Sequence, residues 1–186
     1  MLQVDSEMEN EAESILIIDD DDGVRRTFAA YLDLVGYRVL QAENGHVGLD
    51  MIRELKPSLI LCDLRMPEIG GLELLEVAAR EFDALPIILV SGEGHLNDAI
   101  QALKLGAWDY VTKPTRLPVL KLAIDRALER ARLLRENSDY QLRLETTVSQ
   151  LRASLNMLRE DEEAGRRIQF QLLPKNDYEY EGYRGR

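Results

Sequence analysis

Apolar and polar positions fall into blocks along the chain, and the blocks are of two kinds. Ile15-Leu16-Ile17-Ile18, Leu59-Ile60-Leu61-Cys62 and Pro86-Ile87-Ile88-Leu89-Val90 are short, continuous apolar runs, the pattern of strands buried on both faces. Tyr37 to Ala42 is more mixed, as befits a strand nearer an edge, and Tyr110-Val111-Thr112 makes a shorter fifth. Between these runs the apolar residues recur at spacings of three and four. The sets are Val24, Phe28, Leu32 and Val35; Val47, Met51, Ile52 and Leu55; Leu72, Leu75 and Ala79; and Leu96, Ile100 and Leu103. Each predicts an amphipathic helix. Gly36, Pro57 and Gly106 punctuate the helix ends, and Asp21 or Asp22 is a natural N-cap for the first. Strands alternating with helices at these short connections predict a parallel sheet covered by helices on both faces.

The character changes after Pro118. Residues 119–164 contain neither glycine nor proline, and at ~1.5 Å per residue they predict a helix of roughly 69 Å. Leu120, Ile124, Ala127, Ala131 and Leu134 form one seam, and Leu144, Val148, Leu151, Leu155 and Leu158 a second, each with coiled-coil spacing. The two seams are out of phase across 137–143, which reads as a stutter or a bend. The early part must cover the sheet, so the later part is the one free to pair. An acidic stretch at 160–163 and a further helix over 164–174 follow. Residues 1–13 and the end of the chain, with Tyr178, Tyr180 and Tyr183, read as solvated tails.

Composition narrows the partners. At 186 residues the chain allows one domain plus an extended element, and its net charge of −11 argues against a general nucleic-acid or anionic-membrane binder. The single cysteine, Cys62, excludes an internal disulfide and reads as a small buried strand residue. The acidic opening residues carry no signal peptide, and no apolar run is long enough to span a bilayer. A soluble, cytoplasmic protein is expected.

The candidate chemistry sits where the strands end. Asp63 closes a buried run and is followed by the loop residues Met66-Pro67 and Gly70-Gly71; a carboxylate there is costly unless a cation or donors meet it. Asp19 and Asp20 end the first strand, Ser91 the fourth and Lys113 the fifth. Ligands of parallel sheets gather at the carboxyl ends of the strands, beside the switch point. Carboxylates there suit Mg²⁺, which prefers oxygen ligands and keeps several waters. An aspartate accepting a phosphoryl group needs such a cation, because two anions are brought together. Lys113 adds a point charge and Ser91 a hydroxyl. His46 and His95 have no metal-like partners and read as surface residues.

The set IIDD at 17–20, CDLRMP at 62–67, VSG at 90–92 and YVTKP at 110–114 resembles the receiver domain of two-component response regulators, over about residues 14–130. The resemblance implies a flavodoxin-like, doubly wound sheet of order 2-1-3-4-5. It implies that Asp63 is the phosphoacceptor, that Asp20, Asp63 and the Arg65 carbonyl bind Mg²⁺ with Asp19 assisting, and that Ser91 and Tyr110 are the switch pair. It also implies that Lys113 contacts the phosphate, that its bond to Pro114 is cis, and that a sensor histidine kinase is the phosphodonor. From its residues alone, Tyr110 serves equally well as core.

Residues 153–174 are similar to the segment leading into SpoIIE/RsbU-like metal-dependent serine phosphatase domains. Receiver–linker–phosphatase proteins, among them RssB-type regulators of a stationary-phase sigma factor, carry such a segment after a long helix. That resemblance implies a linker over 119–163, the start of a phosphatase-like output domain over 164–186, and a sigma factor or anti-sigma antagonist as partner. The chain stops 12 residues after Pro174, short of the phosphatase's acidic motifs, so no phosphatase activity is expected of it. The leucine seam predicts a homodimer through 140–160. Two competing functions remain open on sequence. Asp20-Asp21-Asp22-Gly23 fits the D-x-D-G motif of a haloacid-dehalogenase-type phosphatase using Asp20 and Asp22. Alternatively, a receiver without phosphorylation could present a coiled-coil interaction module.

Overall fold

The computed structural model describes residues 13–82, 84–92 and 96–172, with side chains to residue 157 and at 159. The expected tails, Glu13 apart, fall outside these residues, as does His95. The chain forms two units by contact, residues 1–136 and 137–186.

In the first unit, strands β1 (Ser14–Ile18), β2 (Arg38–Ala42), β3 (Leu59–Asp63), β4 (Ile87–Ser91) and β5 (Asp109–Thr112) alternate with helices α1 (Asp22–Leu34), α2 (Gly45–Leu55), α3 (Gly71–Glu81) and α4 (Leu96–Lys104). All strand pairs are parallel, in the order β2-β1-β3-β4-β5. This is the expected flavodoxin-like sheet, and its order reverses between β1 and β3, where Asp19 and Asp63 emerge.

The apolar runs are buried on both sides because successive side chains point to opposite faces. Ile15, Ile17, Leu59, Leu61, Ile88, Val90 and Val111 enter one core, with Phe28 and Leu32 of α1. Leu16, Ile18, Ile60, Cys62, Ile87 and Leu89 enter the other, with Ile52 of α2 and Leu74 and Leu75 of α3. Cys62 is fully buried, and burial pushes its thiol pKa up.

Helix α5 is Leu117–Leu172. It begins ahead of Pro118, which is tolerated because a first-turn N–H has no intrahelical acceptor. The separate helix expected over 164–174 belongs to the same element up to Leu172; one glycine, Gly165, weakens a helix without ending it. Within the first unit Leu120, Ile124, Ala127 and Ala131 are buried. Tyr37 of the β2 flank donates its hydroxyl to Asp125, which also pairs with Lys121 at 2.7 Å. Arg130 lies over the Trp108 ring, 4.8 Å from its centroid. Within the second unit Leu144, Val148, Leu151 and Leu155 are exposed.

The stripe that marks α4 does not pack inward. Leu96 is 74% exposed, and Ile100 and Leu103 are exposed as well, while Ala102 is the buried residue. On α3 the buried positions are Gly71, Leu74, Leu75 and Ala78; of the expected stripe Leu75 is buried, Leu72 packs against the same core and Ala79 is exposed.

One glycine ties the fold to the exit of β3. A Cβ on Gly71 would sit 2.5 Å from the Asp63 carbonyl oxygen and 3.0 Å from Leu64 Cα, both backbone atoms. Gly71→Ala should therefore cost about 1–3 kcal/mol in urea unfolding, in the range of overpacking. Gly92→Ala, where a Cβ meets nothing within 4 Å, should stay within about 0.5 kcal/mol of the wild type.

Candidate functional site

The sheet carries its polar residues one step past the apolar runs. Asp19 continues the β1 ladder, its N–H donating to the Ala42 carbonyl at 3.3 Å, and Lys113 continues β5, its N–H donating to the Ser91 carbonyl at 2.6 Å. Asp63 and Ser91 are the last residues of β3 and β4. All three of Asp19, Asp63 and Ser91 are buried. Asp20, one residue beyond Asp19, is exposed.

Lys113 draws the two buried acids together. Its Nζ lies 2.7 Å from Asp19 Oδ2 and 2.5 Å from Asp63 Oδ1. The remaining carboxylate oxygens are held by backbone: Asp21 N–H donates to Asp19 Oδ1 and Arg65 N–H to Asp63 Oδ2, both at 2.9 Å. The Lys113–Pro114 peptide bond is cis. An open cavity of about 750 Å³ adjoins Lys113 and is also lined by Asp21, Val24, Phe28 and Leu117, so Lys113 is reached from solvent.

Two carboxylates face one ammonium, so the cluster holds a surplus negative charge. Burial raises the Asp19 carboxyl pKa above its ordinary value; the Lys113 and Asp21 hydrogen bonds only partly oppose this, and Asp63 adds repulsion. Burial alone would lower the Lys113 pKa, but the Asp19 and Asp63 hydrogen bonds outweigh it and raise the ammonium above the usual lysine range. The raised Asp19 carboxyl contributes stability that is fully present below the ordinary carboxylate range and is lost as pH rises through its folded value. The Lys113 contribution behaves likewise at the alkaline end, lost only as pH climbs past its raised value.

The surplus charge and the all-oxygen donor set fit a hard divalent cation such as Mg²⁺. Among the described residues no three acidic, histidine or cysteine side chains are gathered closely enough to hold an ion by themselves. A cation here would need a backbone carbonyl or water to complete its shell, as Mg²⁺ usually does.

The strand alternation also sorts the switch candidates. Asp19, Asp63 and Lys113 share their parity with the core beneath α1 and α5. Ser91 follows Leu89 into the opposite face, where Tyr110 packs beside the core that includes Ala102 of α4. Two side-chain contacts carried no clear sequence signal. Arg25 donates from Nη1 to the Asp19 carbonyl at 2.7 Å and from Nη2 to Asp22 Oδ1 at 2.8 Å; its spacing of three from Asp22 was the only hint. Arg65 pairs with Asp98 of α4 at 3.3 Å, a long-range contact that no local pattern announces.

Residues 15–125 match the response regulator receiver domain. The chain belongs to this family. The receiver is 37% identical to the regulatory protein AtoC of Escherichia coli over 115 residues, 62% of this chain and 25% of that protein. It is 38% identical to the probable transcriptional regulator ycf27 of Porphyra purpurea over 124 residues, 67% of this chain and 51% of that protein. Among solved structures it is similar to a receiver domain protein from Clostridium thermocellum, with a TM-score of 0.63 and 31% identity, covering 65% of this chain and 98% of that one. It is also similar to NtrX from Brucella abortus, with a TM-score of 0.66 and 32% identity, covering 69% of this chain and 29% of that one. The chain thus spans from 25% to 51% of the length of the two curated relatives. No helix among the described residues is long and apolar enough to cross a membrane.

The family assignment removes the dehalogenase alternative, and the local geometry agrees. Asp21 is the N-cap of α1, accepting from the Val24 N–H, and Asp22 lies in the first helical turn, paired with Arg25 and Arg26. Neither arrangement frees an Asp20/Asp22 catalytic pair.

Asp19→Asn keeps an oxygen for the Asp21 N–H and removes the surplus charge. It should raise stability at neutral pH, because burial disfavours the charged carboxylate that the asparagine lacks. The gain should shrink as both proteins are acidified through the carboxylate range, as urea unfolding at neutral and acid pH will test.

Proposed function

We propose that Asp63 of this receiver accepts a phosphoryl group from a sensor histidine kinase. The observation that carries the proposal is the convergence of Asp19, Asp63 and Lys113 at three strand ends, within 2.7 Å of one ammonium. An Asp63 carboxylate oxygen attacks the phosphorus of the donor's phosphohistidine. The O–P bond of an acyl phosphate forms, the P–N bond breaks, and its electron pair leaves with the imidazole. Lys113 then pairs with a phosphoryl oxygen in place of the Asp63 carboxylate. Asp20, Asp63 and the Arg65 carbonyl would hold Mg²⁺, with Asp19 assisting. When bound, the ion supplies the positive charge that lets phosphoryl oxygens approach the carboxylates.

Ser91 and Tyr110 act as the switch pair. Their shared side of the sheet supports this role, since it is the side that carries α4. A phosphoryl oxygen drawing on Ser91 biases the position of Tyr110 and so of the exposed α4 stripe, a population shift between two arrangements.

The receiver extends over 14–130 and the linker over 119–163. The exposed seam at Leu144, Val148, Leu151 and Leu155 supports homodimerisation through this helix, with Leu and Val at the spacing of a two-stranded coiled coil. For the output, residues 153–174 support a receiver–linker–phosphatase architecture, with 164–186 opening a phosphatase-like domain and a sigma factor or anti-sigma antagonist as the controlled partner. A second reading rests on the relatives named transcriptional regulator and NtrX: the receiver would then serve a transcriptional output.

With acetyl phosphate and Mg²⁺, the wild type should gain the mass of one phosphoryl group, and EDTA should abolish the gain. Asp63→Ala should gain none; equal labelling of both proteins would overturn the assignment. In light scattering the wild type should show twice the mass of one chain, and Leu151→Asp the mass of one. A wild type at the mass of one chain would remove the dimer.

A further inference from the structure

Four consecutive carboxylates, Asp19 to Asp22, leave β1, and like charges so close push apart the backbone that carries them. Arg25 opposes this from the first turn of α1. Its side chain is only 12% exposed, and its fork reaches the Asp19 carbonyl and the Asp22 carboxylate at once. That carbonyl belongs to the peptide unit leading into Asp20. The unit is planar, so holding its oxygen orients the whole Asp19–Asp20 link, the Asp20 N–H included. On the far side of Asp20, the Asp21 N–H is held by Asp19 Oδ1 at 2.9 Å. Asp20 is therefore an exposed carboxylate on a backbone fixed at both flanks.

We propose that Arg25 is a positioning residue for divalent-cation binding. It aims Asp20 toward the cation shared with Asp63, and it keeps Asp22 turned into α1. The inference rests on Asp20 and Asp63 being metal donors, as in the function proposed above. Arg25 acts through the peptide rather than by touching the ion, and its planar fork suits two acceptors in different directions better than a lysine would.

Mg²⁺ is titrated calorimetrically into the full chain, wild type and the variants Arg25→Ala, Arg25→Lys and Asp20→Asn, with the unfolding midpoint of each recorded without Mg²⁺. Arg25→Ala should raise the half-saturating Mg²⁺ concentration about tenfold, the usual effect of losing a partner that orients a metal ligand. Arg25→Lys should recover part of the loss. A merely structural arginine would lower the metal-free midpoint and leave half-saturation unchanged; that result overturns the proposal. If Arg25→Ala does not fold, wild-type half-saturation in Arg25→Lys overturns it equally. Unchanged binding in Asp20→Asn would remove the donor assignment itself, and with it the role of Arg25. Weaker binding in Asp20→Asn but not in Arg25→Ala would remove Arg25 alone.

Discussion

The ammonium of Lys113 is the contact on which the rest of the site depends. Two carboxylates at the buried end of a parallel sheet could not both stay charged without a cation between them. Lys113 supplies it from the end of a third strand, and its own backbone N–H is fixed on Ser91 of a fourth. The sheet therefore ends in a charged knot rather than a fray. Because one ammonium meets two acids, the knot is short of positive charge. That shortage makes the resting site receptive to a metal ion, and it also limits how stable the resting site can be.

The geometry around the knot sorts its polar residues onto the two sides of the sheet. The acids and Lys113 share the side of the sheet held by α1 and α5, whereas Ser91 and Tyr110 belong to the side of α4. Within the receiver, α5 is fastened by Leu120, Ile124 and Ala127 in the core, by the Tyr37–Asp125–Lys121 cluster and by Arg130 over Trp108. Helix α4 has a single fully buried residue, Ala102, and presents its large apolar side chains to solvent. An element held by so little is cheap to move, and elements that move in signalling come from the weakly held end of a structure.

Much of this was legible in the residues. Continuous apolar runs can only be doubly buried strands, and acids or lysines that end such runs need one another, so the sheet and Asp19, Asp63 and Lys113 followed from local pattern. The side of α4 that packs did not. Leu96, Ile100 and Leu103 make a proper helical stripe, yet periodicity says only that a face is apolar, never what covers it. The start of α5 at Leu117 and its passage through Gly165 were hidden for a related reason, since proline and glycine are signals of cost rather than prohibitions. Arg25 was invisible because it grips a backbone carbonyl, and carbonyls leave no mark in a sequence.

The alternation of side chains between the two cores gives each strand something like a reading frame. Deleting one residue from Leu59 to Cys62 would exchange the two sets of core residues and carry Asp63 to the wrong side of the sheet, although every remaining residue would still be hydrophobic enough for its place. A residue added within the β3–α3 loop would leave the strand parity unchanged, although Leu64 of that loop is itself buried in the second core. Substitutions inside the strands can thus be forgiving while changes of length are not, and the spacing from Ile15 to Asp19 or from Leu59 to Asp63 belongs to the chemistry as much as the aspartates do.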